Sequence, residues 1–168
     1  MSPATQWDLR PREEANLLNP AFLAQLIDRA ATGHREVLGR GLPWPLIYLA
    51  LPAVLHQETR EALPRDIRGD MAGWTRAHPL LVAGLAERAR AIRPMVSEAL
   101  LFGLAHGLIG RQGATVEPGR LARRSPRVAW REPTEDYRAC TTRAAFFGRW
   151  CAGSGTPATV FALWGVRP

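Results

Sequence analysis

Residues 94–119 read PMVSEALLFGLAHGLIGRQGATVEPG, and a change of rhythm inside them sets the fold class. Leu100, Leu101, Leu104 and Leu108 recur at spacings of one helical turn, which predicts an apolar helical stripe over Val96 to Leu108. Gly107-Leu108-Ile109-Gly110 ends it. Ala114 to Glu117 then reads as a short strand, and Arg127 to Trp130 as a second one, joined around a Pro118–Gly119 turn and an arginine-rich loop. A leucine helix followed by a hairpin is the expected centre of the fold.

Upstream, His78–Pro79 opens a helix with Leu81, Val82, Leu85, Ala86 and Ala89 on its apolar side, and Arg93–Pro94 is expected to break it. Asp70 can cap a short helix through Trp74. Earlier still, Asn19 reads as a helix N-cap with Pro20 at the first helical position. Phe22, Leu23, Leu26, Ile27 and Ala30 follow at helical spacing, and Gly33 ends the run. Glu13 to Leu18 is expected to form a short helical turn before it. Residues 42–55 (LPWPLIYLALPAVL) carry no charge and form a buried helix opening at Pro45, with a kink or break expected at Pro52. They are too few to span a bilayer, which needs roughly 20 residues. Polar residues His56 to Glu61 then end that helix before Pro64. Downstream, Glu135 to Ala152 makes an amphipathic helix through Tyr137, Cys140, Ala144, Phe147 and Cys151. A Gly-Ser-Gly break leads to an apolar tail, Thr159 to Val166.

The expected class is therefore mainly α with a short β-hairpin, a helical, winged-helix-like single domain over residues 1–168. Residues 1–12 are a polar N-terminal lead-in, 13–110 a helical body, 111–133 a β-hairpin with an arginine-rich wing, and 134–168 a C-terminal helix and apolar tail. Three helices followed by a hairpin is the element order of a winged helix-turn-helix. However, the helix in the place of the recognition helix, Val96 to Leu108, holds Glu98 and His106 but no Arg. A helix that reads the major groove presents Arg, Asn, Gln or Ser to base edges.

The 168 residues are 46% hydrophobic and 22% charged, which suits one domain with its own core and lies far from the polar excess of disorder. Every one of the 22 basic residues is Arg. Without Lys the chain cannot build a Walker A phosphate loop, a Schiff base or a pyridoxal phosphate linkage. The net charge of +7 arises wholly in residues 85–168, where thirteen Arg stand against six acids. Such asymmetry makes nucleic acid or an acidic protein face a plausible neighbour of that half. The start lacks the apolar core of a signal peptide, so the chain is expected in the cytoplasm with Cys140 and Cys151 reduced. On one helix these two would lie about 16 Å apart, too far to bridge.

Arg120, Arg123, Arg124, Arg127 and Arg131 form the densest basic cluster, five arginines within twelve residues. They suit phosphate contacts or an acidic partner surface. Among six tryptophans, Trp44, Trp150 and Trp164 lie in apolar runs and read as core. Trp7, Trp74 and Trp130 lie in polar settings, and if exposed become interface anchors. Trp74 and Trp130 accordingly join the arginines as candidate contacts. His34, His56, His78 and His106 are scattered, with no metal-ligand spacing. His56 with Glu58 and Glu61 reads as a polar collar, Glu13–Glu14 as a helix start, and Ser154 as part of a connector. No catalytic, cofactor or metal site is expected.

A family resemblance rests on stretches met in order along the chain. They are Glu14 to Phe22 (EANLLNPAF), Gly41-Leu42-Pro43 running into Leu51 to His56 (LPAVLH), and Thr59-Arg60-Glu61 with Leu63-Pro64. Glu98-Ala99-Leu100 with Phe102-Gly103, Gly148-Arg149-Trp150, and the closing Leu163 to Pro168 (LWGVRP) complete the set. The chain resembles the middle component of bacterial three-component ABC systems. It departs from the pattern at Cys151, where a Phe is expected, and at Trp164, where a Leu is common. The resemblance implies a non-catalytic adaptor between an ABC-type ATPase subunit and a larger effector-bearing subunit, in a module of antiphage defence, with no cofactor. The helical body would dock one partner while Arg120 to Arg131 contact another partner or DNA. A second expectation is a stand-alone winged-helix DNA-binding transcriptional regulator, against which the leucine-rich recognition-helix position speaks.

Overall fold

A computed structural model describes residues 18–119 and 134–166. Seven α-helices and a three-stranded antiparallel sheet make up the described residues. The helices are α1 (Pro20–Leu38), α2 (Ile47–Leu55), α3 (Gln57–Ala62), α4 (Met71–Ala77), α5 (Pro79–Ala105), α6 (Glu135–Gly153) and α7 (Pro157–Leu163). The strands are β1 (Leu42–Pro43), β2 (Ile109–Gln112) and β3 (Thr115–Pro118), and a 3₁₀ turn, Trp44–Leu46, leads into α2.

Local chemistry sets most helix starts. Asn19 caps α1 by accepting the Ala21 N–H, with Pro20 behind it where no donor is missed. Asp70 caps α4 at the N–H groups of Ala72 and Gly73. Thr134 caps α6 at Tyr137, and Glu135 and Asp136 in the first turn complement the helix dipole. The sequence expectation for α6 matches to within a residue at its C-terminal end.

Several expectations are corrected. Gly33 does not end α1, which runs to Leu38 and stops at Gly39, held at φ +68° in the left-handed conformation that glycine adopts without strain. Gly33 instead marks a close approach, since a side chain there would run into the backbone carbonyl of Ala145 on α6. Gly148 on α6 meets Ala30 of α1 in the same way, so the two helices touch backbone to backbone. Pro52 does not break α2, and Pro94 does not break α5. Pro94 lies on the exposed side of its helix, where water can take the carbonyl that its missing N–H leaves unbonded. His56 to Glu61 do not end α2 either. His56 caps a new helix, its Nδ1 accepting the Thr59 N–H.

The hairpin is also shifted. β3 falls where a strand was expected, but its partner is β2, with Gln112 opposite Thr115, and the turn lies at Gly113–Ala114. Its other neighbour is β1, with Leu42 opposite Val116, giving the order β1-β3-β2. β3 is thus the central strand, and the expected partner strand Arg127 to Trp130 lies outside the described residues, as does all but the last residue of the helical turn expected over Glu13 to Leu18. Trp44 extends the β1 edge by donating its N–H to Ala114 O.

The core runs through α1, α2, α5 and α6, with Leu23, Ile27, Ile47, Leu51, Val96 and Phe147 fully enclosed. No helix of the described residues is long and apolar enough to cross a membrane. The uncharged run 42–55 is a strand, a 3₁₀ turn and α2, and α2 is almost wholly buried.

Candidate docking surfaces

The basic cluster Arg120, Arg123, Arg124, Arg127 and Arg131, together with Trp130 and Trp7, lies outside the described residues. The points between which residues 120–133 run are well defined. Before them, Gly119 is buried against the carbonyl of Leu108, and its N–H donates at 3.0 Å to Oδ1 of Asp28, a buried carboxylate of α1. After them, Thr134 caps α6. Thus both attachment points sit on the α1–α6 pair, the closest helix packing in the described chain.

Trp74 is not an exposed anchor. Only 8% exposed, it donates its indole N–H to Ala62 O and packs against Trp150 and Trp164. Trp150 donates in turn to Gly69 O, so this aromatic cluster ties the α3–α4 connection to the C-terminal helices. The polar neighbours of Trp74 in sequence misled because burial is decided by what packs over it, here Trp164, ninety positions on. Trp44 reverses the expectation in the other sense. Read as core, it is 49% exposed.

The histidines, Arg60 and the two cysteines are absorbed by local structure. His78 and His106 donate from Nδ1 to the carbonyls of Trp74 and Phe102 and stack on those same rings. Buried His34 bonds Arg40 O across the α1–β1 turn, and burial holds its pKa below the usual histidine value. Burial likewise lowers His56, reinforced by the nearby Arg88 guanidinium. Arg60 is buried and donates to the Val54 and Leu55 carbonyls at the end of α2, to Cys140 Sγ at 3.3 Å and to Asp136 at 3.1 Å. It closes the C-terminus of α2 with a cation, a favourable placement against the helix dipole. Cys140 and Cys151 are free and buried, and burial pushes both thiols up, away from the reactive thiolate. Among the described residues no three His, Cys, Asp or Glu groups converge as metal ligands.

What remains exposed and unusual is apolar. Leu101 is 71% and Leu104 39% exposed on the C-terminal half of α5, and Leu80 is 87% exposed at its start. Tyr48, on α2, bonds Ser97 of α5 through its hydroxyl at 3.0 Å, and the exposed Trp44 ring stands edge-on to the Tyr48 ring at 6.1 Å. Trp44, Tyr48, Ser97 and Leu101 therefore line one corner between α2 and α5. Sequence reasoning registered the leucines as a stripe but could not divide them: Leu100 packs against the core and Leu101 points away.

With this geometry in place, a comparison with protein families matches residues 7–168 to the family described as ABC-three component (ABC-3C) system Middle Component 3. The chain belongs to this family of middle components. The match spans nearly the whole chain, from before α1 to beyond α7, so both the α2–α5 corner and the two attachment points of residues 120–133 lie inside the middle component's own body. No curated protein and no solved structure matches the chain. As a middle component it is one part of a multi-component ABC system, and other components of that system are its partners in the broad sense.

Proposed function

We propose that this middle component is a cytoplasmic, non-enzymatic adaptor that bridges an ABC-type ATPase subunit and a larger effector-bearing subunit in an antiphage defence system. The observation that carries the reading is the exposed leucine face of α5. Leu101 and Leu104, one turn apart beside the exposed Trp44, form a contiguous apolar patch, the kind of surface that a partner covers. Membership of the middle-component family supports the reading, as does a chain with no lysine for a phosphate-binding loop of its own.

The strand order β1-β3-β2, with β1 supplied from between the first two helices, supports a winged-helix-like arrangement in which α5 takes the recognition-helix place. A stand-alone DNA-binding regulator would need polar readers there, and Leu101 and Leu104 offer no hydrogen bond to a base edge. The arginine-rich residues 120–131 supply the second contact, to another component or to DNA.

A tagged pull-down from the native host, with and without nuclease, tests this. Nuclease-resistant recovery of an ABC ATPase and a larger third subunit is the expected result. Retention of DNA with neither protein would overturn the adaptor reading in favour of the regulator.

A further inference from the structure

We propose that the corner between α2 and the C-terminal half of α5 is a docking site for a segment of another system component that carries bulky apolar side chains flanked by carboxylates. This rests on the adaptor reading and names the chemistry of one partner.

The corner has an apolar floor and, along the edge of α5 that faces α2, a basic border. Trp44 and Leu101 are its most exposed members, with Tyr48 between them, held in place by its hydroxyl on Ser97. No acidic residue occurs between Glu36 and Glu58, so the α2 side of the corner brings no negative charge of its own. On the α5 side, helical spacing aligns Arg90 with Leu101 and Arg93 with Leu104, each pair eleven residues or about three turns apart. Glu98 and Glu87 lie about 100° and 80° around the helix from Ser97, on either flank of the edge that faces α2, with Glu98 about 60° from Leu101. The face that looks toward Trp44 and Tyr48 thus presents leucines continuing into arginines. Its complement is apolar side chains followed along the same line by carboxylates, with the apolar part supplying affinity and the charges fixing direction.

Nucleic acid fits this corner poorly. Arg90 and Arg93 can meet phosphates, but a phosphate backbone would leave the apolar surface of Leu101 and the Trp44 ring, the most exposed members, uncovered.

The test uses the full-length chain reconstituted with the purified ATPase and effector-bearing components of its own system, binding being measured for wild type, Leu101→Asp, Trp44→Ser and the double variant Arg90→Glu/Arg93→Glu. The altered side chains are largely exposed, and thermal melting checks that each variant keeps its fold. Leu104→Ser replaces any that does not. The expected result is a loss of affinity for one component of about tenfold or more in the Leu101 and Trp44 variants. The arginine variant should bind more weakly with a reduced dependence on salt. Wild-type affinity in all folded variants, alongside an intact wild-type complex, would overturn the docking site and leave the adaptor reading standing. Failure of the wild-type chain to bind either component would overturn the adaptor reading and the site with it. A dimer of the isolated chain that Leu101→Asp abolishes would overturn the proposal in favour of a second copy as the occupant. Nuclease-sensitive association lost in the same variants would overturn it in favour of DNA.

Discussion

His34 shows how a single residue couples folding to pH. It is buried where α1 meets α6, next to the backbone contact at Gly148, and its Nδ1–H donates to Arg40 O at 3.1 Å. Burial is the main cause of its lowered pKa. The Arg40 carbonyl and the Glu117 carboxylate pull the other way, and the Arg40 charge adds to the lowering. Well above pH 6.5 the ring is neutral in both folded and unfolded chains and contributes no pH dependence. As pH falls below that value the unfolded chain takes up the proton first, so stability is lost on acidification toward the lower folded pKa. Melting temperatures compared at about pH 7.5 and about pH 5.5 should therefore fall less steeply in His34→Gln than in wild type. His56, also lowered by burial, keeps part of the slope in both. Equal slopes would show that His34 is not the group responsible.

At the scale of elements, the pairing of α1 with α6 depends on two glycines that let backbones touch. A methyl group on Gly148 would collide with the Ala30 carbonyl, and neither helix can retreat without disturbing Leu26, Ile27 and Phe147 in the core. Overpacking of this kind costs about 1–3 kcal/mol and outweighs the roughly 1 kcal/mol that Ala gains over Gly in helix propensity. Urea unfolding of Gly148→Ala should report a net loss of up to about 2 kcal/mol. Gly153, at the exposed end of the same helix with nothing near its Cβ position, is the control, and Gly153→Ala should be neutral or slightly stabilising. A stable Gly148→Ala protein would mean that the helices can separate freely. α5 makes the complementary case, an unbroken helix of 27 residues across Pro94 because the proline faces water.

The whole molecule divides its two candidate contacts between places of different character. The α2–α5 corner is apolar, whereas residues 120–133 hold five Arg against one Glu and supply most of the +7 charge. Charge reversal at Arg123, Arg124 and Arg127 together should leave the melting transition of the body in place while weakening association with a partner component or DNA. The loss should be largest at low salt, where exposed charges are least screened. Binding of partner and DNA that stays at the wild-type level in this triple variant would remove the segment from the mechanism. Comparison with the α5 variants then separates the two surfaces.

Most helix starts, the extent of α6 and the mainly helical class with a small hairpin were legible in the residues themselves. Caps such as Asn19, Asp70 and Thr134 act on groups two or three positions away, and helical periodicity is likewise local. The tertiary structure alone decided the rest. β1 exists only because β3, more than seventy residues on, arrives beside Leu42 and Pro43. Gly33 could be read as a stop until Ala145 stood against it, and Pro94 as a break until its side of α5 proved to face solvent. The same holds for the candidate site: a leucine stripe does not say which leucine is inside, and Trp44 and Trp74 exchanged roles. Burial is a property of the neighbours that folding brings, and those neighbours lie far away in the chain.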